Sequence, residues 1–361
     1  MKTDFSMEPL SVKNILFISL GGIGNLIFLT PAIAMLCETF PNARVSFFLT
    51  ASGAGDIVKH HPRLNLLYEM KRPDRTLLKF IKTVRRIKPE IAFVATGTNP
   101  LKSGLFSLLA GARCRIGEQF GAGRVLYNVG IPYRFHQHEI VSNVQIAKAM
   151  GCNSMVAPSC TIWSTQTDAD FALKFLSGVH GRAEQRFIGI HPGSGGNMQF
   201  KRWNIDRFIE VSKRIVRLYD VKILVFGGKD ESALGAAFCD ALGNDAVPCM
   251  GATTILQSFE LMKHCILFLS NDSSPLHMAA AAGIPAVAIF GPTSDIRTGP
   301  SGMHCRSVIH PVPCRPCYPA TRQRSGFFNC HNRDRFACLT HITVESVLEQ
   351  IDSLLKETGR A

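Results

Sequence analysis

Short β-branched apolar runs alternate along this chain with stretches of helical period. Residues 15–20 read as a buried strand, a glycine turn follows, and 26–39 read as a helix. Further strands are predicted at 44–49, 65–69 and 90–95, with helices at 76–87 and near 139–150. A polar stretch, 164–185, then leads into a second series. Its strands fall at 187–191, 222–226, 266–269 and 286–290, and its helices at 205–218, 231–242 and 275–282, with a last helix at 344–355. Such alternation marks a parallel sheet with helices on both faces. Two series in 361 residues predict an α/β protein of two doubly wound, Rossmann-like domains, 12–163 and 186–341, with 342–358 packing back across their junction. Sheets of this kind bind ligands at the carboxyl ends of their strands. The loops after Leu20, His191, Phe226, Leu269 and Phe290 are therefore expected to face a central cleft.

From Ile15 to Cys37 no residue is charged, a length that could cross a bilayer. Gly21, Gly22, Gly24, Asn25 and Pro31 interrupt it, so a strand, loop and helix of a soluble domain is the better reading. Asp4 and Glu8 upstream, without a small-residue cleavage site, argue against a secretory signal. Forty Lys and Arg against 27 Asp and Glu give a formal charge of +13, which favours anionic partners such as phosphorylated small molecules or acidic membrane surfaces. There is no interleaving of aromatic and basic residues and no helix-turn-helix or zinc-finger spacing, so nucleic acid is not expected. Twelve cysteines without an export signal suit a reducing, cytoplasmic setting, with peripheral contact at the inner membrane face. Eight are scattered and are expected to pack as small apolar side chains.

Three loops carry candidate chemistry. The first, "GGIGN", lacks the third glycine and the acidic ribose partner of a dinucleotide fingerprint, so a nicotinamide cofactor is not favoured. Gly22 and Gly24 allow close backbone approach to a ligand, or simply a tight turn. The second, "HPGSGGNMQFKRWN", joins Gly193, Ser194, Gly195 and Gly196 to Lys201 and Arg202 before a helix capped by Asn204. Phosphate is the guest this chemistry suits, although basic glycine loops also occur on ordinary surfaces. The third, "LSNDSSPLHMAAAAGIPAVAIFGPT", ends a strand at Asp272 and opens a helix at Ser273 and Ser274, with Pro275 where no amide hydrogen is needed. Free amides there, with His277 one turn in, suit a diphosphate. The plainer alternative is that Asp272 caps the helix and His277 is a core histidine.

Together the loops resemble glycosyltransferase family 9, the heptosyltransferases of lipopolysaccharide assembly and their relatives, over about residues 14–355. "GGIGNLIFLTPAI", then Pro192, Gly193, Lys201 and Trp203, then Asn271 to Thr293 match its three motifs. The resemblance implies GT-B architecture, with the acceptor on the N-terminal side and a nucleotide diphosphate-sugar on the C-terminal side. It implies inverting transfer without a metal, of a heptose or another sugar, to an anionic cell-envelope glycan, glycolipid or protein. Gly193, Ser194, Lys201, Ser273 and Ser274 would hold the donor, Asp272 and His277 would sit at its sugar or phosphate, and Glu231, with Asp230 as the alternative, would grip the ribose. Gly22, Gly24 and Asn25 would form the acceptor-side loop. There the sequence departs from the family: the acidic residue taken as general base is Asn25, and an amide cannot accept a proton at neutral pH. Asp56, with His60 and His61, is a candidate base by position. A non-catalytic sugar-nucleotide or glycan-binding protein, or a nucleotide-sugar epimerase, are the alternative functions.

The last four cysteines fall as C-x2-C-x12-C-x7-C: Cys314, Cys317, Cys330 and Cys338. Four thiolates at this spacing in a loop suit a structural zinc or iron. Similar clusters in related family members support that reading. His331 could replace one ligand, but the plainer reading is an exposed side chain, and Arg315, Arg322, Arg324, Arg333 and Arg335 would give the same knob positive charge towards an acceptor or a second subunit of a homo-oligomer.

Overall fold

The computed structural model describes residues 10–70, 77–153, 159–179, 185–195, 198–318 and 329–361. The chain divides into two compact units, Met1–Trp163 and Ser164–Ala361. In the first, β1 (Asn14–Ser19), α1 (Ile23–Thr39), β2 (Arg44–Leu49), β3 (Leu64–Glu69), α2 (Leu77–Arg86) and β4 (Ile91–Val94) follow one another. Next come α3 (Pro100–Leu109), β5 (Cys114–Gln119), β6 (Val129–Pro132) and α4 (Glu139–Lys148). The strands form one parallel sheet in the order β3-β2-β1-β4-β5-β6. Phe17 stacks on Phe47 at 5.4 Å and meets Phe93 at 5.6 Å, and all three are fully buried. Burying one such side chain contributes about 1.5–3 kcal/mol.

The second unit opens with α5 (Gln166–Ser177), β7 (Arg186–His191), α6 (Ile205–Tyr219), β8 (Val221–Val225), α7 (Ser232–Leu242) and β9 (Ala246–Pro248). It continues through α8 (Ile255–Met262), β10 (Cys265–Asn271), α9 (Ser274–Ala281), β11 (Ala286–Phe290), α10 (Asp295–Thr298), β12 (Cys305–Ile309), α11 (Ala337–Thr340) and α12 (Val344–Glu357). Its parallel sheet runs β12-β11-β10-β7-β8-β9. Read outward from the first strand of each unit, the two orders are the same. Each reverses direction between its first and fourth strands, β1 beside β4 and β7 beside β10, which is the switch point where doubly wound sheets take ligands.

Local chemistry corrects several expectations. Helix α1 starts at Ile23 rather than Leu26 because Gly22 is its N-cap, so Asn25 lies inside the first turn. Pro31 removes one helical donor in the middle of α1, and the Thr30 hydroxyl donates to the Ile27 carbonyl at 2.7 Å in its place. The polar stretch after Ser164 contains α5, started by a capping box in which Thr165 and Asp168 satisfy each other's backbone amides. Helix α12 places Val347, Ile351, Leu354 and Leu355 with Ile188, Phe208 and Val287 in the core of the second unit. No helix among the described residues is long and apolar enough to cross a membrane.

Candidate active site

At the switch point of the second unit, His191 ends β7 in register with Ser270 of β10. The two loops beyond are sewn together by Asn271, which is fully buried. Its side-chain amide donates to the Pro192 carbonyl at 2.8 Å and the Gly193 carbonyl at 3.0 Å, and its oxygen accepts from the Trp203 backbone at 2.9 Å. The Trp203 indole in turn donates to the Ile342 carbonyl at 3.1 Å, which anchors the basic end of the loop in the core. Asn204 caps α6 as expected, accepting from Asp206 at 2.7 Å.

Two buried ionic clusters occupy this place. In the first, Lys201 Nζ donates to Asp272 Oδ2 at 2.7 Å. Burial alone would raise the Asp272 pKa; the Lys201 ammonium, followed by His277, holds it below the ordinary carboxylate range. Asp272 thus binds the lysine and does not cap α9. The N-cap is Ser273, whose side chain makes no capping bond, and no acidic residue occupies the first turn. The helix therefore presents its leading amides without a cap from the Ser273 side chain. His277 lies buried one turn in.

In the second cluster Glu231 is the hub. Its Oε1 accepts from the Ser194 amide at 2.8 Å, the Gly195 amide at 2.9 Å and Arg202 Nη2 at 3.0 Å, and its Oε2 pairs with His191 Nε2 at 2.8 Å. The other ring nitrogen of His191 meets the Ser273 hydroxyl at 2.8 Å, and Ser273 also meets Ser270 at 2.9 Å. The Ser273 hydroxyl thus belongs to this network. Burial pushes the Glu231 pKa up, but the His191 hydrogen bond and charge and the Gly195 and Ser194 amides outweigh it, leaving the carboxyl at about 2. That depression has a sign: its contribution to stability is whole above the ordinary value of 4.5 and fades as pH falls from there towards 2. Thermal melts should therefore show wild-type protein losing stability across this window, and Glu231→Gln losing distinctly less. Equal slopes would mean that Glu231 is not held as described. Asp230, beside it, is exposed.

In the first unit Asn25 reaches the β1/β4 switch point. A side chain on Gly97, whose φ is +69°, would lie 2.3 Å from Asn25 Nδ2 and 3.5 Å from Glu139 Oε2, so amide and carboxylate converge there. Glu139 is buried at the first turn of α4. Gly22 faces open space. Asp56 sits in the turn Ala54–Ile57 and pairs with Lys59 at 2.9 Å. His61 is buried, packs edge-on to Trp163 at 4.6 Å and accepts from the Arg63 amide at 3.1 Å, and burial followed by the Arg63 charge lowers its pKa to about 4.

The four late cysteines lie within electrostatic reach of one another: burial first, then Cys317, Cys330 and Cys314, raise the Cys338 thiol to about 11. The Phe336 amide donates to Cys330 Sγ at 3.3 Å. Among the described residues, however, no three His, Cys, Asp or Glu side chains are placed to hold a metal ion. Gly196, Arg322 and Arg324 lie outside the described residues. Sequence reasoning passed over His191, Asn271 and Glu139 as functional residues. The first two carried a signal, polar residues closing otherwise apolar strands, but nothing in the sequence couples Glu139 to Asn25.

Two Rossmann-like units of this topology define a fold of the GT-B class, as expected. The family model "Glycosyltransferase family 9 (heptosyltransferase)" matches residues 77–326, and the chain belongs to that family. It is 30% identical over 193 residues to lipooligosaccharide heptosyltransferase 2 of Campylobacter jejuni, covering 52% of this chain and 57% of that protein. The chain thus spans little more than half the length of such a relative. The structure of E. coli ADP-heptose lps heptosyltransferase II matches with a TM-score of 0.73 at 20% identity, over 96% of this chain and 99% of that one. The iron-containing dodecameric glycosyltransferase TibC of enterotoxigenic E. coli matches with a TM-score of 0.60 at 14% identity, over 98% of this chain and 81% of that one.

Proposed function

We propose that this protein is an inverting glycosyltransferase that moves a sugar, with heptose the leading candidate, from a nucleotide diphosphate donor to a cell-envelope glycan, glycolipid or protein. The observation that carries the reading is the Lys201–Asp272 pair beside the uncapped start of α9. The helix amides and the lysine would bind the diphosphate and stabilise it as it departs. Gly193 and Ser194 would bring the second loop to the donor, Ser274 would add a hydroxyl, and Glu231 would face the nucleoside side while fixing that loop. His277 would keep Asp272 ionised beside the reacting sugar.

On the acceptor side Gly22, Gly24 and Asn25 would receive the attacking hydroxyl, with the Asn25 amide orienting it. Its proton passes to a general base, for which Asp56 and Glu139 of the same unit are the candidates. The test incubates purified protein with ADP-, GDP-, UDP- and dTDP-sugars and follows nucleoside diphosphate release with and without acceptor. Acceptor-dependent release supports transfer, and Asn25→Asp should raise its rate. Binding without turnover would favour the sugar-nucleotide-binding alternative that Asn25 suggests, and isomerised sugar an epimerase.

A structural metal belongs to the same reading. The chemistry of the donor set suits zinc or iron: Cys314, Cys317, Cys330 and Cys338, not gathered as ligands among the described residues, would close around the ion, and the Phe336 amide already donates to the Cys330 sulfur. Elemental analysis should find about one ion per chain, lost in Cys330→Ser. Absence of zinc and iron from protein purified without chelator would remove this part. The dodecamer named for TibC extends to this chain only as a proposal of self-association.

A further inference from the structure

Helix α3 is built inside out. Its inward face carries Ser103, Gly104 and Ser107, all buried, and their polarity is met locally: Ser103 pairs with Thr98 at 2.9 Å, and Ser107 donates to the Gly104 carbonyl at 2.6 Å. Its leucines point out, with Leu101 52%, Leu105 45% and Leu108 44% exposed. The turn Gly121–Leu126, which packs on α3, adds Val125 at 76%, and Phe120 just before it is 44% exposed. An apolar surface of this kind on a soluble domain marks a contact.

What it contacts is set by the charge around it. Helix α2 lies beside α3 on the same side of the sheet: Phe80 and Phe106 meet at 4.9 Å, and Arg85 Nε donates to the Leu109 carbonyl at 3.0 Å. The exposed residues of α2 include Lys79, Lys82 and Arg86, and Lys102 and Arg124 are exposed next to the apolar residues. Between residues 77 and 138 there are ten Lys and Arg but two Asp and Glu. Of these two, Glu90 accepts from the Asn14 amide at 2.7 Å and Glu118 is buried. The segment therefore supplies most of the chain's net positive charge. A second copy of the same face would be repelled, whereas a surface of anionic headgroups over hydrocarbon complements both features.

We propose that the outer face of α2, α3 and the turn Gly121–Leu126 docks on an anionic lipid bilayer, the leucines entering the acyl boundary and the basic side chains lying among the headgroups. The inference does not rest on the donor or acceptor of the proposed reaction, and its test needs no turnover. Full-length protein is co-floated with vesicles of phosphatidylcholine alone and with vesicles carrying about one third phosphatidylglycerol. Binding to the anionic vesicles should be at least ~10-fold tighter and should fall steeply in ~1 M salt, where screening leaves a reach of about 3 Å. Leu101→Ser/Leu105→Ser/Leu108→Ser and, separately, Lys82→Glu/Arg86→Glu should each weaken it about tenfold or more, with the unfolding temperature unchanged. Equal binding to both vesicle types, wild-type binding by the folded leucine variant, or self-association that this variant abolishes would overturn the proposal. The last result would assign the face to a second copy of the chain.

Discussion

Lys201→Ala should lower donor-dependent turnover by about two orders of magnitude, the scale of losing one charged group poised at a departing oxyanion. It should also destabilise the protein. Asp272 is buried, and without the ammonium 2.7 Å away its carboxylate would be left in a poorly solvating site. Removing one member of such a pair costs about 3–5 kcal/mol when burial is complete, and somewhat less here because Lys201 keeps partial contact with solvent. The two effects can be separated. Lys201→Ala/Asp272→Asn should recover much of the stability, since no buried charge is stranded, but none of the turnover. Full activity in the single variant would remove the diphosphate from this position.

Gly193→Ala should be the more damaging of the small substitutions. A methyl there would lie 2.0 Å from Glu231 Oε1 and 2.4 Å from its Cδ. That carboxylate is not a loose end that can swing aside, because two amides, a guanidinium and an imidazole hold it. Either the loop shifts or the cluster breaks, at a cost of about 1–3 kcal/mol for the overpacking plus the hydrogen bonds lost. Donor affinity should fall with it, measured by calorimetry against nucleoside diphosphate. Gly195→Ala sets a useful contrast: no atom of the described residues opposes its methyl, and the positive φ of 82° is the strain there, so a loss of about 1 kcal/mol is expected. A Gly193→Ala protein as stable and as tightly binding as wild type would refute the packing described.

The fold was legible where apolar runs were long and continuous. β1, β2, β7, β10 and β11 are buried along almost their whole length, and their β-branched and aromatic residues announce them. β5, β6, β9 and β12 were not legible, although the edge strand β3 was. β5 carries Arg115, Gly117 and Glu118, and β9 is three residues ending in proline, so neither has a pattern that separates strand from loop. In the site, residue type and spacing brought Gly193, Lys201, Glu231 and Asp272 to one place, because glycine loops and helix starts have local signatures. Direction was harder to read. The bond between Ser273 and His191, and the pairing of Asp272 with Lys201 rather than with its own helix, depend on loops distant in sequence. The proximity of Glu139 to Asn25 is likewise a property of the folded chain alone.

Asn271 also bears on how a ligand arrives. One side chain clasps the carbonyls of Pro192 and Gly193 and the amide of Trp203, so the two ends of the loop are held before any guest arrives. Association at this surface should be a single-step encounter, with an observed rate that rises linearly with ligand concentration and no plateau from slow isomerisation.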